Sequence, residues 1–266
     1  MNSKLPISAV VITYNEAHLL KSCLSVLSFC NEIITIDLGS NDNSVDVCAP
    51  YTNKQLFQPL SFAVEPIRKW ASTLTKNDWI MYIDPDEVLS QELSIEIINI
   101  LSSIDEKVGM ITVPWLFYFK RKALSGTFWG IDNMNKTILI NRCKVKVPVG
   151  VHQGYILNEG FENKIISLKA NNVLKHYWMN SYKKLYQKHL RHLEVEGKTK
   201  YNLGWRYNIK KQYKTFLTSF YDSYIIYKGW RDGFIGLFLS FFFAWYNFQI
   251  WSSLKKYQGD IENQKS

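Results

Sequence analysis

The N-terminal half of the chain alternates short apolar runs with amphipathic stretches. Apolar runs at 7–13, 32–37 and 79–83 are rich in β-branched residues and lack a strict apolar–polar alternation. Such runs are typical of parallel strands that are buried on both faces. Between the first two, Leu19, Leu20, Cys23, Leu24 and Leu27 recur at helical spacing. With a helix at 67–74 and strands at 56–60, 108–119 and 136–140, the pattern predicts an α/β fold with a mostly parallel, Rossmann-like sheet flanked by helices.

Acidic residues follow the ends of two predicted strands. Asp37 closes the second apolar run, and Asp84, Asp86 and Glu87 surround Pro85 directly after the third. Pro85 has no N–H and a fixed φ, so the strand must end before it. In open α/β sheets the carboxyl ends of the strands share one edge, where ligands bind. The carboxylates suit Mg²⁺ or Mn²⁺ with substrate phosphates, although a solvated acidic turn before a helix is the alternative.

The two loops that follow the first strands are rich in capping residues. Thr13 or Asn15 is expected to cap the helix that follows, with Glu16 in its first turn. In the next loop, Gly39 permits an unusual φ before a short helix that ends near residue 47. Asp37 could equally be a turn former there.

The character of the chain changes after about residue 178. Residues 181–214 are strongly basic and begin as an amphipathic helix, and 233–251 contain no charged residue. The uncharged stretch is long enough to span a membrane, but its many aromatic residues fit a packed or headgroup-level helix equally well. We therefore expect two domains, 1–178 and 179–266. The second should attach peripherally to the inner face of the cytoplasmic membrane, with a single span as the alternative.

Composition narrows the possible partners. The 266 residues carry a formal net charge of +9, which indicates an anionic partner such as nucleic acid, a phospholipid surface or a phosphorylated substrate. Acids clustered at strand ends and the lack of a recognised nucleic-acid motif argue against nucleic acid. The four cysteines have no metal-ligand spacing and are expected to be free thiols in a reducing compartment; no secretory signal is expected at the N-terminus.

Four short motifs occur in a recognisable order. They read I-T-Y-N-E at 12–16, D-L-G-S-N-D at 37–42, Arg68 with Ala71, and D-P-D-E at 84–87. In this order they resemble the T-x-N-E, D-x-G-S-x-D, R-N-x-A and D-A-D-E motifs of glycosyltransferase family 2. Residues 149–153 and 176–177 are similar to later motifs of a branch that includes bacterial lipopolysaccharide-core glucosyltransferases.

The resemblance implies a GT-A fold and a metal-dependent, inverting transfer of a sugar from a nucleoside diphosphate-sugar, with uridine diphosphate expected. The implied acceptor is a glycolipid or polysaccharide such as lipopolysaccharide core, and the basic C-terminal region adds an anionic membrane surface as an expected partner. A DxD-type pair would hold Mn²⁺ or Mg²⁺, with Asp86 as ligand and Asp84 and His152 as further candidates. The residues implied to bind the donor nucleotide are Thr13, Asn15, Glu16, Asp37, Asp42, Arg68 and Asp84.

The catalytic base is where the chain departs from the family. Relatives often read V-H-E where this chain has Gln153, and glutamine cannot take a proton. The remaining candidates are His152, Asp132 and Glu87, although His152 could instead be a metal ligand or a structural residue. His176 could be a metal ligand, a phosphate donor or a packed residue. Gln153 also leaves open a non-catalytic nucleotide-binding, glycan-binding or scaffold protein of the same fold.

Overall fold

The computed structural model describes residues 4–61, 64–147, 154–169 and 171–265, with side chains to residue 263. The chain forms two compact units. The first contains residues 1–115 and 135–176, and the second contains residues 116–134 and 177–266. The second unit therefore includes a segment, 116–134, that lies within the first of the two predicted domains.

Strands and helices alternate through residue 83, and the elements from there to residue 179 are strands apart from one helix. In chain order the elements are β1 (Leu5–Thr13), α1 (Ala17–Ser25), β2 (Cys30–Asp37), α2 (Ser44–Cys48), β3 (Lys54–Phe57), α3 (Glu65–Ser72), β4 (Trp79–Ile83), β5 (Glu87–Leu89), α4 (Gln91–Ser102), β6 (Val108–Phe119), β7 (Lys122–Ala123), β8 (Asn135–Asn141), β9 (Val145–Lys146), β10 (Ile156–Leu157), β11 (Glu162–Ile165) and β12 (Leu174–Met179).

The main sheet has the strand order β3-β2-β1-β4-β8-β6-β12-β5. Strands β3, β2, β1 and β4 are parallel, whereas β8 runs antiparallel to both β4 and β6. Along β1, Ala9 and Val11 pack into the core on one face, and Val10 and Ile12 pack into the core on the other. Burial on both faces explains the continuous apolar run, and the predicted α/β architecture with a Rossmann-like parallel half is confirmed.

Two local predictions need correction. The third strand ends at Phe57, because Pro59 cannot donate to a sheet ladder. Helix α1 is not capped by Thr13 or Asn15: its N-cap residue is Glu16, without a side-chain cap. Its N-terminal N–H groups are instead satisfied from the next loop along the chain. The predicted end of the strand before Pro85 is confirmed, since β4 stops at Ile83.

The second unit is largely helical. It contains α5 (Tyr182–Asn202), α6 (Ile209–Tyr221), a π-helical turn (Asp222–Ile226), a 3₁₀ turn (Gly229–Asp232) and α7 (Gly233–Lys265). By length and composition, 229–263 could cross a membrane. One face of α7, however, is packed against α5 and α6 and tied to them by polar bonds. Gln212 Nε2 donates to Phe248 O and Ser252 Oγ, and Trp251 Nε1 donates to Thr215 Oγ1.

Close backbone contacts at the start of α7 give a stability test. A Cβ added at Gly236 would lie 1.9 Å from the carbonyl oxygen of Gly229, whereas one at Gly259, on the same helix, would meet nothing within 4 Å. We expect Gly236→Ala to lower the free energy of unfolding by about 2 kcal/mol, because backbone must move. Thermal denaturation should show a midpoint lower by roughly 4 °C or more. Gly259→Ala should be neutral or slightly stabilising, since alanine favours helix; equal midpoints for the two variants would contradict this packing.

Candidate functional site

The carboxyl edge of the parallel strands places Asp37 beside Thr13. The two residues are in register on β2 and β1. One carboxylate oxygen of Asp37 accepts from the N–H groups of Gly39 (3.0 Å) and Ser40 (2.9 Å). The other, Oδ1, and the Thr13 hydroxyl are buried and have no hydrogen-bond partner in the described part of the chain. Buried polar atoms are normally satisfied, so this pair indicates a place for a polar ligand.

The residues of the two motif loops mostly bind one another. The N–H groups of Asn15, Glu16 and Ala17 donate to Ser40 Oγ, Ser44 Oγ and Asp42 Oδ2. In the other direction, Asn41 N donates to Asn15 Oδ1 at 2.8 Å, with Asn15 at a φ of 56°. The hydroxyl of Ser44 donates to Asp42 and lowers the pKa of that carboxyl. Asn15, Glu16 and Asp42 therefore fasten the loop after β1 to the loop after β2.

Two cations enclose Asp84, the first acid after β4. Arg68 Nη2 lies 2.6 Å from Asp84 Oδ1, and Lys136 Nζ lies 2.7 Å from Oδ2. Burial alone would raise the pKa of the Asp84 carboxyl, but Lys136 and Arg68 outweigh it and hold the pKa well below its usual range. Asp84 is therefore ionised and engaged on both oxygens. Arg68, which the motif resemblance assigned to the nucleotide, here binds Asp84.

Lys136 also neutralises Glu87. Its Nζ lies 2.7 and 2.6 Å from the two oxygens of Glu87, whose side chain is entirely buried. Burial raises the pKa of the Glu87 carboxyl, and the charge of Lys136 only partly offsets this. Because Glu87 is enclosed and bonded on both oxygens, it cannot reach an acceptor hydroxyl in this arrangement. Sequence reasoning placed Lys136 only within a strand; the available signal was that three adjacent acids require a nearby cation.

Asp86, the remaining acid of the three, contacts His176. His176 Nε2 lies 3.2 Å from Asp86 Oδ2, and the imidazole stacks on the Trp115 ring at 4.7 Å between centroids. Trp115 also lies 5.2 Å from Lys136 Nζ, so one indole contacts both groups. Among the residues with described side chains, no cluster of three or more His, Cys, Asp or Glu is placed to hold a metal ion.

The donor set at Asp86 nevertheless fits a divalent ion. A partly exposed carboxylate beside an imidazole nitrogen supplies two ligands of the kinds that Mn²⁺ accepts. Such an ion usually completes its coordination with water and substrate phosphate. Asp84, the other described residue predicted as a ligand, has both oxygens bonded to Lys136 and Arg68.

Asp132 and His152 are the remaining candidate residues. Asp132, in the second unit, forms a 3.3 Å ion pair with Arg231. His152 and Gln153, with the motif at 149–153, lie outside the described residues. The cysteines are free thiols, as predicted, with Cys23, Cys30 and Cys48 buried and Cys143 exposed.

The N-terminal part of the chain is similar to known proteins. Residues 8–120 match the family model Glycosyl transferase family 2. A lipopolysaccharide core biosynthesis glycosyltransferase, LpsC of Rhizobium meliloti (strain 1021), is 33% identical over 115 residues, which are 41% of this chain and 42% of LpsC. A glycosyltransferase of Rickettsia bellii (strain RML369-C) is 38% identical over 99 residues, which are 36% of this chain and 33% of that protein. The matched segment thus spans less than half the length of each relative.

Two solved structures show partial likeness. Residues 1–349 of TarS from S. aureus give a TM-score of 0.37 with 17% identity, over 42% of this chain and 36% of that one. Glucosyl-3-phosphoglycerate synthase from Mycobacterium tuberculosis, solved with Mn²⁺ and uridine-diphosphate-glucose, gives a TM-score of 0.35 with 16% identity, over 44% of each chain.

The order of strands and the placement of acids at their carboxyl ends agree with the family match. Residues 8–120 thus match glycosyltransferase family 2 by sequence, and the predicted α/β fold, with helices flanking a sheet whose first four strands are parallel, is confirmed. The similarity to LpsC likewise confirms the resemblance to lipopolysaccharide-core enzymes.

Lys136 gives a stability prediction with a defined pH dependence. Lys136→Met should lower the free energy of unfolding by about 3 kcal/mol, because removing one partner of a buried ion pair leaves Glu87 uncompensated. A carboxyl whose pKa is raised in the folded state stabilises the protein below its unfolded pKa and loses that contribution as pH rises through the folded value. The deficit of Lys136→Met against the unsubstituted protein should therefore be larger at pH 8 than at pH 5 in urea titrations. Lys136→Arg, which keeps the charge, should lower the free energy of unfolding less than Lys136→Met does. If both variants lose the same amount at both pH values, Lys136 does not neutralise Glu87.

Proposed function

We propose that the protein is an inverting glycosyltransferase that moves a sugar, most simply a hexose, from a uridine diphosphate-sugar to a glycolipid or polysaccharide acceptor. The observation that carries the donor site is the buried, unpartnered Asp37 Oδ1 beside the unpartnered Thr13 hydroxyl. A pyrimidine base supplies an N–H for the carboxylate and a carbonyl for the hydroxyl. The backbone N–H groups of Gly39 and Ser40 hold the carboxylate in place for that contact.

The acids after β4 would act on the diphosphate end of the donor. Asp86 and His176 would hold a divalent ion, which supplies positive charge for the leaving nucleoside diphosphate. Asp84, held ionised by Arg68 and Lys136, would accept from a ribose hydroxyl or a bound water after a small shift of Arg68. Lys136 keeps Asp84 and Glu87 from repelling Asp86 out of position.

The acceptor hydroxyl needs a base on the face opposite the leaving group. The burial of Glu87 leaves His152 and Asp132 for this role. Asp132 lies 3.3 Å from Arg231 Nη1 and is 54% exposed, so its carboxylate is accessible.

Lipopolysaccharide core or a related glycolipid is the proposed acceptor. The support is the similarity to LpsC, whose described role is lipopolysaccharide core biosynthesis. Such acceptors reside in a membrane, and the basic C-terminal unit provides charge for an anionic surface. The proposed location is therefore the inner face of the cytoplasmic membrane.

Donor binding can be tested by isothermal titration of uridine diphosphate with Mn²⁺ and then with chelator. Asp37→Asn should weaken binding about tenfold or more, since it removes a charge-assisted hydrogen bond to the base. Asp86→Ala should abolish the increase in uridine diphosphate affinity that Mn²⁺ causes, and it should leave the affinity measured with chelator unchanged. Glu106→Ala, an exposed acid of the same unit, is the matched control and should bind as the unsubstituted protein does. Failure of the unsubstituted protein to bind any nucleoside diphosphate would remove the donor site.

Turnover separates the enzyme from a non-catalytic binding protein of the same fold. Release of uridine diphosphate in the presence of lipopolysaccharide-core acceptor should fall about a hundredfold or more in Asp86→Ala and His176→Ala, because the leaving group loses its counter-charge. His152→Ala and Asp132→Asn test the two candidates for the base. The variant that loses turnover but keeps its affinity for the nucleotide identifies the base. Nucleotide binding without turnover under any donor or acceptor would favour the scaffold function.

A further inference from the structure

Helix α7 carries an aromatic stripe that its own unit covers only in part. Phe234, Phe238, Phe241 and Trp245 follow one another at intervals of four, three and four residues, which places them on one face of the helix. Phe234 is 76% exposed and Phe241 is 49% exposed, whereas Leu239 on another face is fully buried. Isolated exposed apolar residues are ordinary, but a continuous aromatic face indicates a surface that meets another apolar phase.

Helix α5 widens this stripe into a groove. The ring of Tyr182 contacts Phe238 edge-on at 4.6 Å between centroids, and Tyr186 lies 5.3 Å from Trp245. Together these rings line an open groove of about 500 Å³ whose wall is almost wholly apolar. Tyrosine and tryptophan, with an apolar body and a polar tip, are the residues that proteins place at the headgroup level of a bilayer.

Basic side chains lie at the end of the groove that Tyr182 lines. Lys183 lines it, and Lys120 Nζ lies 4.6 Å from the centre of the Tyr182 ring. Lys120 and Arg121 form the turn between β6 and β7, and both have positive φ, of 47° and 68°. Glycine or asparagine relieves strain at such positions, so a Lys-Arg pair there costs stability. In spite of this strain, both Lys120 and Arg121 are exposed to solvent.

The charge of the whole chain is concentrated in this unit. Residues 116–134 and 177–266 contain 18 Lys and Arg against 7 Asp and Glu, whereas the first unit contains 14 against 16. A surface that is both aromatic and strongly cationic is complementary to anionic phospholipid, which attracts basic residues within a Debye length. A second copy of the chain would bring like charges together.

We propose that the aromatic stripe of α7, with Tyr182, Tyr186 and the Lys120–Arg121 turn, is the surface that inserts into the headgroup layer of an anionic phospholipid bilayer. The inference deepens the proposed membrane attachment and rests on it. Helix α7 lies along the bilayer surface rather than across it, because hydrogen bonds tie it to α5 and α6. The polar side chains in those contacts, such as Gln212 and Ser253, remain inside the unit.

Flotation with lipid vesicles tests the surface. The unsubstituted protein should float with vesicles that contain phosphatidylglycerol, less with pure phosphatidylcholine, and less at high salt. Phe234→Ser with Phe241→Ser, and separately Lys120→Glu with Arg121→Glu, should each weaken binding to the anionic vesicles about tenfold or more. Thermal unfolding monitored by circular dichroism shows whether each variant is folded.

Matched controls come from the first unit. Phe57→Ser with Ile165→Ser removes two apolar side chains of similar exposure, and Lys54→Glu with Lys164→Glu reverses two exposed cations. Both controls should float as the unsubstituted protein does. If the aromatic variant binds anionic vesicles as the unsubstituted protein does, the aromatic stripe is not the membrane-binding surface, although the protein still binds membranes. If the unsubstituted protein binds no vesicle, attachment itself fails while the nucleotide titration is unaffected. A dimer in light scattering that only the aromatic variant loses, without vesicle binding, would assign the face to a second copy.

Discussion

The arrangement at the carboxyl edge of the sheet depends on a single ammonium group. Three acids follow β4 within four positions, and Glu87 among them is completely buried. Lys136, which reaches them from the antiparallel strand β8, bonds to both Glu87 oxygens and to Asp84. Without this contact the acids would repel one another and the turn around Pro85 would have to open toward water. The antiparallel strand is therefore part of the site and not only an extension of the sheet.

The positions that the sequence predicts well are those decided by local chemistry. The β1, β2 and β4 runs are apolar because both faces are buried, and Pro85 ends β4 because it has no N–H to donate. The same reasoning brings Asp37 and Asp84 to one edge of the sheet. The family match over residues 8–120 agrees with the motif order on which the prediction rested.

The positions that the sequence does not predict are those decided by contacts between distant segments. Lys136 lies 52 positions from Asp84, and nothing near it marks it as a partner. The same holds for the start of α1, where side chains about 25 residues away replace the expected local cap. Residues 116–134 also group with the C-terminal helices through contacts between distant segments, because Asp232 accepts hydrogen bonds from Ser125 and Gly126.

The hydrogen bonds between the first two loops occupy a backbone N–H of a kind that other nucleotide-binding folds offer to phosphate. In many nucleotide-binding folds, the first helix after β1 offers its free N–H groups and positive dipole end to the pyrophosphate. Here Asp42, an anion supplied by the chain itself, already accepts from Ala17 N at the start of α1. A nucleoside diphosphate bound at this edge, as proposed, would therefore meet the Asp42 carboxylate at the start of α1. In the proposed function the positive charge for the leaving group would come instead from the side of β4, and the base would be held on the side of β2, with β1 between them.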